Sequence, residues 1–335
     1  MRTQKLILGL FMLLFVSHSF IFAQSFETIQ IGNGTQKFSK PVWSPNGENL
    51  AFWGHGGIYV CKWDGSEQPK KIFDTFGEDL MWASDSELVY WQRKYWEEKQ
   101  EGKRPKRMER DFIKLVNLKG EEQTITEGNN LQAPCKLPDG AVIFAGEQGY
   151  EIIREGNLGK DALKEQFGVT SHYPPIYDSR KKGPEYEDTD IWISSLDGNF
   201  KKRVTYGKEY YTPRISPDMT KILASDFIVL DLNGNELANL NPGTKMISKY
   251  VSSIPCCSKW SPDSKSIVYT MEVDNDETQM IEGSELCIIN VDGPGRTEIT
   301  STPAEIELNP EWSPDSEKIA CNSLNTGKIF IIKLK

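Results

Sequence analysis

The stretch Pro310-Glu311-Trp312-Ser313-Pro314-Asp315-Ser316 recurs along this chain. Close copies are Ser258-Lys259-Trp260-Ser261-Pro262-Asp263-Ser264 and Pro41-Val42-Trp43-Ser44-Pro45-Asn46-Gly47. Proline fixes φ at the first central position of a tight turn, and Asp, Asn, Gly or Ser suits the positions that follow. A short apolar run comes next, as in Ser266-Ile267-Val268-Tyr269. Each copy therefore predicts a strand, a tight turn and a second strand.

Three weaker copies bring the number of repeats to six; they occupy residues 80–86, 134–140 and 213–219. Later strands follow in a constant order. A third strand ends in Asp-Gly, as in Ile58-Tyr59-Val60-Cys61-Lys62-Trp63-Asp64-Gly65, and a fourth ends near threonine, as in Arg203-Val204-Thr205. Ordered copies over nearly the whole chain favour a repeat architecture built from four-stranded units.

The Trp-Ser-Pro-Asp phrase with its Asp-Gly-ending third strand resembles the TolB-type β-propeller repeat. The resemblance implies an all-β fold, a single β-propeller of four-stranded blades. It also implies a periplasmic protein that receives a partner's segment at its central funnel. TolB carries a separate N-terminal domain, whereas the repeats here begin almost directly after the N-terminal apolar run, which leaves the Tol–Pal role itself without support.

The spacing of the repeats favours six blades. Their anchor residues are separated by 39, 53, 80, 45 and 52 residues, and the interval of 80 leaves seven blades as the alternative; the anchors are Trp43, Trp82, Cys135, Ile215, Trp260 and Trp312. The alternating stretch Phe26-Glu27-Thr28-Ile29-Gln30-Ile31 predicts one more strand. We expect it to complete the last blade and to close the ring, which removes an open sheet edge.

The N-terminus has the features of a secretory signal. Residues 1–23 combine the cations Arg2 and Lys5 with an apolar run, and Ala23-Gln24 is a plausible cleavage site. An uncleaved anchor is the alternative. Cleavage predicts a mature propeller of residues 24–335 that is periplasmic or secreted, does not span a membrane and is a monomer. The net charge of −9 argues against binding to nucleic acid or anionic lipid.

Two insertions interrupt the repeats, at residues 92–110 and 150–190. The first has eight Lys or Arg against four Glu, and it also has aromatic residues. A basic, aromatic loop on an acidic protein suits an acidic partner, although a solvated hairpin extension is the simpler alternative. The candidate partner-binding residues of this loop are Lys94, Tyr95, Trp96, Arg104 and Arg107.

The start of the innermost strands should lie near the funnel, where Tyr210, Tyr211 and Arg214 are further candidates for partner binding. Two functions remain open. The favoured one is a non-catalytic scaffold in the cell envelope that binds a protein or peptide segment, or a glycan. The alternative is a carbohydrate-active lyase or hydrolase that uses funnel residues such as Tyr211 and Arg214.

Signals of catalysis or of a cofactor are weak. The Gly-x-Ser-x-Gly motif does not occur, and only two histidines, His55 and His172, follow the signal. We therefore predict no catalytic residue and no cofactor. Asp274, Asp276 and Glu277 are weak calcium candidates, because alternating carboxylates suit a hard cation; a solvated loop is the favoured reading. Whether the six cysteines form disulfides or stay buried thiols is left open by the sequence.

Overall fold

The computed structural model describes residues 26–32, 35–99, 104–128, 132–136, 142–146, 149–153, 192–194, 201–205, 214–224, 227–240, 258–274, 281–293, 295–300 and 305–334. Twenty-five strands lie within these ranges, and they form seven antiparallel sheets. The signal at 1–23, His172 and most of the insertion at 150–190 lie outside the described residues.

Five of the sheets have four strands each. Their strands are β2 (Ser39–Trp43), β3 (Asn49–Gly54), β4 (Gly57–Lys62) and β5 (Lys70–Asp74); β6 (Glu78–Ser84), β7 (Glu87–Glu98), β8 (Lys106–Asn117) and β9 (Glu122–Gly128); β15 (Arg214–Ile215), β16 (Lys221–Leu223), β17 (Ile228–Asp231) and β18 (Glu236–Asn239); β19 (Ser258–Trp260), β20 (Ser266–Asp274), β21 (Ile281–Asn290) and β22 (Arg296–Glu298); and β23 (Glu307–Trp312), β24 (Lys318–Ser323) and β25 (Ile329–Lys333) with β1 (Glu27–Ile31).

Two smaller sheets account for the remaining strands. One contains β10 (Gln132–Lys136), β11 (Val142–Gly146) and β12 (Gly149–Ile153), and the other contains β13 (Trp192–Ser194) and β14 (Lys201–Arg203).

The fold is an all-β propeller with four-stranded blades, and the count of six or seven such blades is corrected to five within the described residues. The reason is visible in the third repeat from the N-terminus, that of Cys135. β12 follows β11 after only two residues and pairs with it, from Val142↔Ile153 to Gly146↔Gly149. β10 also pairs with β11, while the next described strand, β13 at Trp192, pairs with β14, so no described strand lies beside β12. The strands of this stretch therefore form a three-stranded and a two-stranded sheet.

The N-terminal strand β1 lies at the outer edge of the last sheet. It pairs antiparallel with β25, from Glu27↔Lys333 to Ile31↔Ile329, and the order across that sheet is β1-β25-β24-β23. Ile31 and Ile329 are fully buried there. The two ends of the chain therefore depend on each other for the hydrogen bonds and the core of one sheet.

The repeated tryptophans connect neighbouring sheets. Each donates its indole N–H to the carbonyl oxygen of the residue just before the equivalent position in the preceding repeat, and for the first repeat this is the last repeat of the chain. The four bonds are Trp82 to Val42 (3.1 Å), Trp43 to Glu311 (3.1 Å), Trp312 to Lys259 (3.2 Å) and Trp260 to Arg214 (3.1 Å). All four indoles are buried, so each bond replaces water at both partners. This chain of bonds links the five four-stranded sheets in order.

The Ser-Pro-Asp or Ser-Pro-Asn turn has a constant hydrogen-bond pattern at Ser44, Ser216, Ser261 and Ser313. In the last copy, the buried Ser313 hydroxyl accepts from the Lys318 N–H at 2.9 Å and donates to the Asp315 carboxylate. The residue that follows the Pro-Asp pair is left-handed: Ser316 has φ +60° and Ser264 has φ +61°. Gly47, at φ +71°, fills the same place in the first copy, where glycine adopts this conformation without steric cost. The phrase is therefore conserved in shape between the copies, and its role is structural.

The core consists of apolar clusters between and within the sheets. Trp82, Tyr90, Tyr269 and Phe52 are its largest fully buried side chains. Three cysteines, Cys61, Cys287 and Cys321, are free and buried, and burial raises the pKa of each thiol. Across the described ranges, no helix is both long and apolar enough to cross a membrane.

Candidate functional site

The most prominent surface feature is a two-stranded ribbon that extends from the second sheet. β7 and β8 are paired over twelve positions, from Glu87↔Asn117 to Glu98↔Lys106. Their neighbours are shorter: β6 pairs with β7 only as far as Trp91, and β9 pairs with β8 only as far as Asp111. Residues 92–98 and 106–112 therefore continue as a ribbon beyond the four-stranded part of the blade.

A buried ion pair holds the base of the ribbon. Arg93 donates to both carboxylate oxygens of Asp111, from Nε at 2.6 Å and from Nη2 at 3.1 Å. Asp111 is 1% exposed, and the Arg93 guanidinium also lies over the Trp91 ring at 5.0 Å. A bidentate pair of this kind fixes orientation as well as distance. The ribbon thus leaves the blade at a defined angle.

Strand alternation divides the ribbon into two faces with different charge. Paired residues lie on the same face of a sheet, and the register gives both sets. We call the first set the basic face, because it has three cations and one carboxylate; it consists of Lys94, Trp96, Glu98, Lys106, Met108 and Arg110. The opposite face has two cations and three carboxylates; it consists of Arg93, Tyr95, Glu97, Arg107, Glu109 and Asp111.

On the opposite face, a cation and an aromatic ring already contact each other. The Arg107 guanidinium lies 4.2 Å from the centre of the Tyr95 ring, a cation–π geometry. On the basic face, by contrast, Trp96 is 45% exposed, and the Lys94 and Lys106 side chains are exposed as well. Arg110 reaches Glu127 of β9 at 2.9 Å. The basic face is therefore the part of the ribbon on which an aromatic ring and lysine side chains are exposed together.

A cavity of about 570 Å³ opens at the foot of the ribbon, between the first and second sheets. It contains three lysines, two carboxylates and two phenylalanines; its lining is His55, Gly56, Lys71, Phe73, Asp74, Thr75, Phe76, Gln92, Lys94, Lys114 and Glu122. Lys94 is shared with the basic face, because β7 passes from the cavity into the ribbon. The cavity and the basic face thus form one continuous surface.

Ion pairs and hydrogen bonds organise the cavity wall. Lys114 donates to Glu122 at 2.7 Å, and the Tyr90 hydroxyl donates to the other oxygen of the same carboxylate. Burial of Tyr90, together with the Glu122 carboxylate, raises the pKa of its hydroxyl. Lys71 pairs with Asp74 at 2.8 Å. These titratable groups are held in place by each other, which suits a binding surface more than proton transfer.

A second cavity of about 640 Å³ lies beside the first. Both cavities share His55, Gly56 and Phe76. The remaining lining residues of the second cavity are Thr35, Gln36, Lys37, Ser39, Trp53 and Gly54. Phe76, which is 76% exposed, separates the two.

The innermost strands bring another charged group together. Lys259 on β19 pairs with Glu311 on the neighbouring β23 at 2.9 Å. Burial raises the pKa of Asp79, on β6, while the charges of Lys40 and Lys259 oppose that shift. The carboxylate of Asp79 therefore interacts electrostatically with cations of β2 and β19, as expected for strands arranged around a common axis.

The structure distributes the predicted partner-binding residues over several places. Lys94 and Trp96 share the basic face, Tyr95 and Arg107 share the opposite face, and Arg104 is exposed at the described start of the ribbon's second strand. Arg214 lies on β15, where its carbonyl accepts from Trp260. Tyr210 and Tyr211 lie outside the described residues.

The described residues do not bring the three calcium candidates together. Asp274 is the last residue of β20, while Asp276 and Glu277 lie outside the described residues. Within the described ranges, His, Cys, Asp and Glu side chains form no group of three that could hold a metal ion. The sequence analysis also missed Phe76 and Lys114. A single apolar residue in a polar connection, Thr75-Phe76-Gly77, is the signal that indicates Phe76.

Comparison with solved structures finds similar folds at low identity. A TolB candidate from Agrobacterium tumefaciens is 15% identical, with a TM-score of 0.40, over 89% of this chain and 90% of that one. An oligogalacturonate lyase in complex with manganese is 14% identical, with a TM-score of 0.40, over 88% and 76%. An oligogalacturonate lyase from Vibrio parahaemolyticus is 12% identical, with a TM-score of 0.39, over 88% and 77%.

No protein-family model matches the chain, and no curated protein matches it significantly. Structural likenesses at these scores assign no activity, ligand or partner.

Proposed function

We propose that the mature protein is an exported, non-catalytic β-propeller that binds an acidic, extended protein segment on the basic face of the ribbon. One observation carries the proposal. Three cations share one face of the ribbon with the exposed Trp96, while the chain as a whole has a net charge of −9. A basic surface on an acidic protein attracts acidic segments.

The geometry supports binding of an extended segment. The basic face consists of three cross-strand pairs, and the Trp96↔Met108 pair lies between the Lys94↔Arg110 pair and the Glu98↔Lys106 pair. Aromatic side chains at the centre of a polar surface are typical of the residues that dominate binding energy. Charges at the rim mainly speed up association and make it sensitive to salt.

Support for a non-catalytic role comes from the pairing of the titratable groups in the cavity. Lys114 and Glu122 bind each other, and Lys71 and Asp74 do the same. The carbohydrate-active alternative rests on the funnel residues Tyr211 and Arg214. Turnover of a glycan, with its loss in Arg214→Ala, would favour that alternative over the scaffold.

Export and closure of the ring belong to the same proposal. Residues 1–23 have the pattern of a cleaved secretory signal, which would place the mature protein in the periplasm or outside the cell. The pairing of β1 with β25 and the bond from Trp43 to Glu311 support a ring that joins its first and last repeats. A closed ring gives the ribbon a rigid base.

The test is a fluorescence-anisotropy titration with a labelled copolymer of glutamate and tyrosine at low and high salt. We expect salt-sensitive binding that the double variant Lys94→Glu/Lys106→Glu weakens by about tenfold or more at low salt. The matched control is Lys119→Glu/Lys265→Glu. It changes the net charge equally, at exposed residues in the β8–β9 and β19–β20 turns. Equal weakening by both double variants would show a nonspecific effect of net charge and would contradict the proposal.

A further inference from the structure

Phe76 is the most exposed of the large apolar side chains in the described part of the chain, and its backbone is held firmly. The side chain is 76% exposed. Its carbonyl accepts from the Gln92 amide at 2.6 Å, and the preceding N–H, that of Thr75, donates to the Gly56 carbonyl at 3.1 Å. An exposed phenylalanine on a mobile loop would be unremarkable. On a fixed backbone it is a preformed aromatic surface.

The residue that follows allows this segment to lie close against the second sheet. A Cβ on Gly77 would lie 2.6 Å from the Trp91 carbonyl oxygen and 2.8 Å from the Tyr90 ring. Only glycine allows the chain to approach the second sheet this closely. The segment from Thr75 to Gly77, which we call the aromatic crest, therefore stands as a fixed ridge between the two cavities.

Two buried polar atoms flank the aromatic crest without a hydrogen-bond partner among the described residues. They are the indole Nε1 of Trp53, in the wall of the second cavity, and the amide Oε1 of Gln92, in the wall of the first. Trp53 is 8% exposed. A buried donor or acceptor without a partner destabilises the fold.

We propose that the aromatic crest binds an aromatic side chain of the acidic segment. The ring of the ligand packs against Phe76, and its carboxylates lie toward Lys94 and the basic face. This inference rests on the proposed function, because it assumes that an acidic, extended protein segment occupies the ribbon. It adds a specificity determinant: the segment must have an aromatic residue, and not charge alone.

The experiment compares two labelled polymers, the copolymer of glutamate and tyrosine and polyglutamate. The wild-type protein is expected to prefer the copolymer by about three- to tenfold, which is the range that aromatic packing contributes. Phe76→Ala should reduce the affinity for the copolymer to that for polyglutamate and leave polyglutamate binding unchanged. Phe76→Trp should retain the preference. Leu237→Ala is the control, because Leu237 is 53% exposed on β18 of another sheet.

The outcomes separate this inference from the proposed function. Equal binding of both polymers by the wild type, or a preference that survives Phe76→Ala, would contradict the inference and leave the acidic docking surface intact. Failure to bind either polymer would contradict the proposed function itself, and the inference with it. Binding of hyaluronan that depends on Phe76 would show that the crest recognises a glycan, which would also overturn the inference.

Discussion

The indole N–H of Trp43 donates a 3.1 Å hydrogen bond to the carbonyl oxygen of Glu311, so the first repeat of the chain is bonded to the last. The same bond recurs between three other pairs of sheets. The tryptophan near the end of each innermost strand therefore also binds the neighbouring blade. This explains why tryptophan occupies the position, since a phenylalanine of similar shape has no donor.

Trp43→Phe should destabilise the protein by about 1–3 kcal/mol, because the Glu311 carbonyl loses its donor in a buried place. Urea unfolding followed by circular dichroism measures the change. Trp96→Phe is the matched control, since Trp96 is on the exposed ribbon, and it should stay within about 0.5 kcal/mol of the wild type. Equal losses in the two variants would show that the indole bond does not link the sheets.

Removal of β1 should destabilise the whole protein. A chain that begins after residue 32 exposes the edge of β25 and uncovers the buried Ile329. We expect a loss of about 3 kcal/mol or more and a tendency to aggregate through the open edge. A chain that begins at residue 26 is the control and should unfold like the mature protein. Unchanged unfolding of the shorter chain would refute the role of β1.

The Arg93–Asp111 pair should be strongly coupled. Arg93→Met removes two hydrogen bonds from a carboxylate that is 1% exposed, and we expect a loss of about 2–4 kcal/mol. The double variant Arg93→Met/Asp111→Leu should recover much of this loss, because it also removes the buried charge. A double-mutant cycle in urea gives the coupling energy. Additive losses would mean that the pair does not hold the ribbon.

The ionisation of Asp218 should make the stability of the fold depend on pH. Burial acts to raise the pKa of its carboxyl group, but hydrogen bonds from Ser216 and Thr220, with the charge of Lys221, lower that pKa from 3.8 to about 2. The ionised group therefore stabilises the fold above its unfolded pKa, and this contribution is lost as the pH falls from about 4 to about 2. Wild type should be more stable than Asp218→Asn near neutral pH, and the difference should shrink in acid. A difference independent of pH would contradict this account.

The sequence predicts the blade architecture because its repeat contains both packing and turn chemistry. Trp312, Ser313 and Asp315 each make the contact that their place in the phrase requires. The number of four-stranded blades was wrong because the Cys135 repeat has three described strands, β10, β11 and β12, and the strands that follow, β13 and β14, pair with each other. Repeat spacing gives the position of each turn phrase, but it does not give the number of strands that pair in each sheet.

The candidate site was predictable only in part. The excess of cations between residues 92 and 110 indicates a docking element, but charge counts alone do not separate Lys94 from Arg93. Only the register of β7 with β8 does so, since neighbouring residues point to opposite faces. Phe76 was missed because its significance depends on two cavities formed by residues from distant parts of the sequence.

The most direct test of the account is amide hydrogen exchange, measured with and without a saturating copolymer of glutamate and tyrosine. If the basic face and the aromatic crest bind the acidic segment, protection should rise at residues 92–98, 106–112 and 75–77. The β8–β9 and β19–β20 turns should keep their exchange rates. Protection confined to those turns, or to the innermost strands near Lys259 and Glu311, would contradict the central claim.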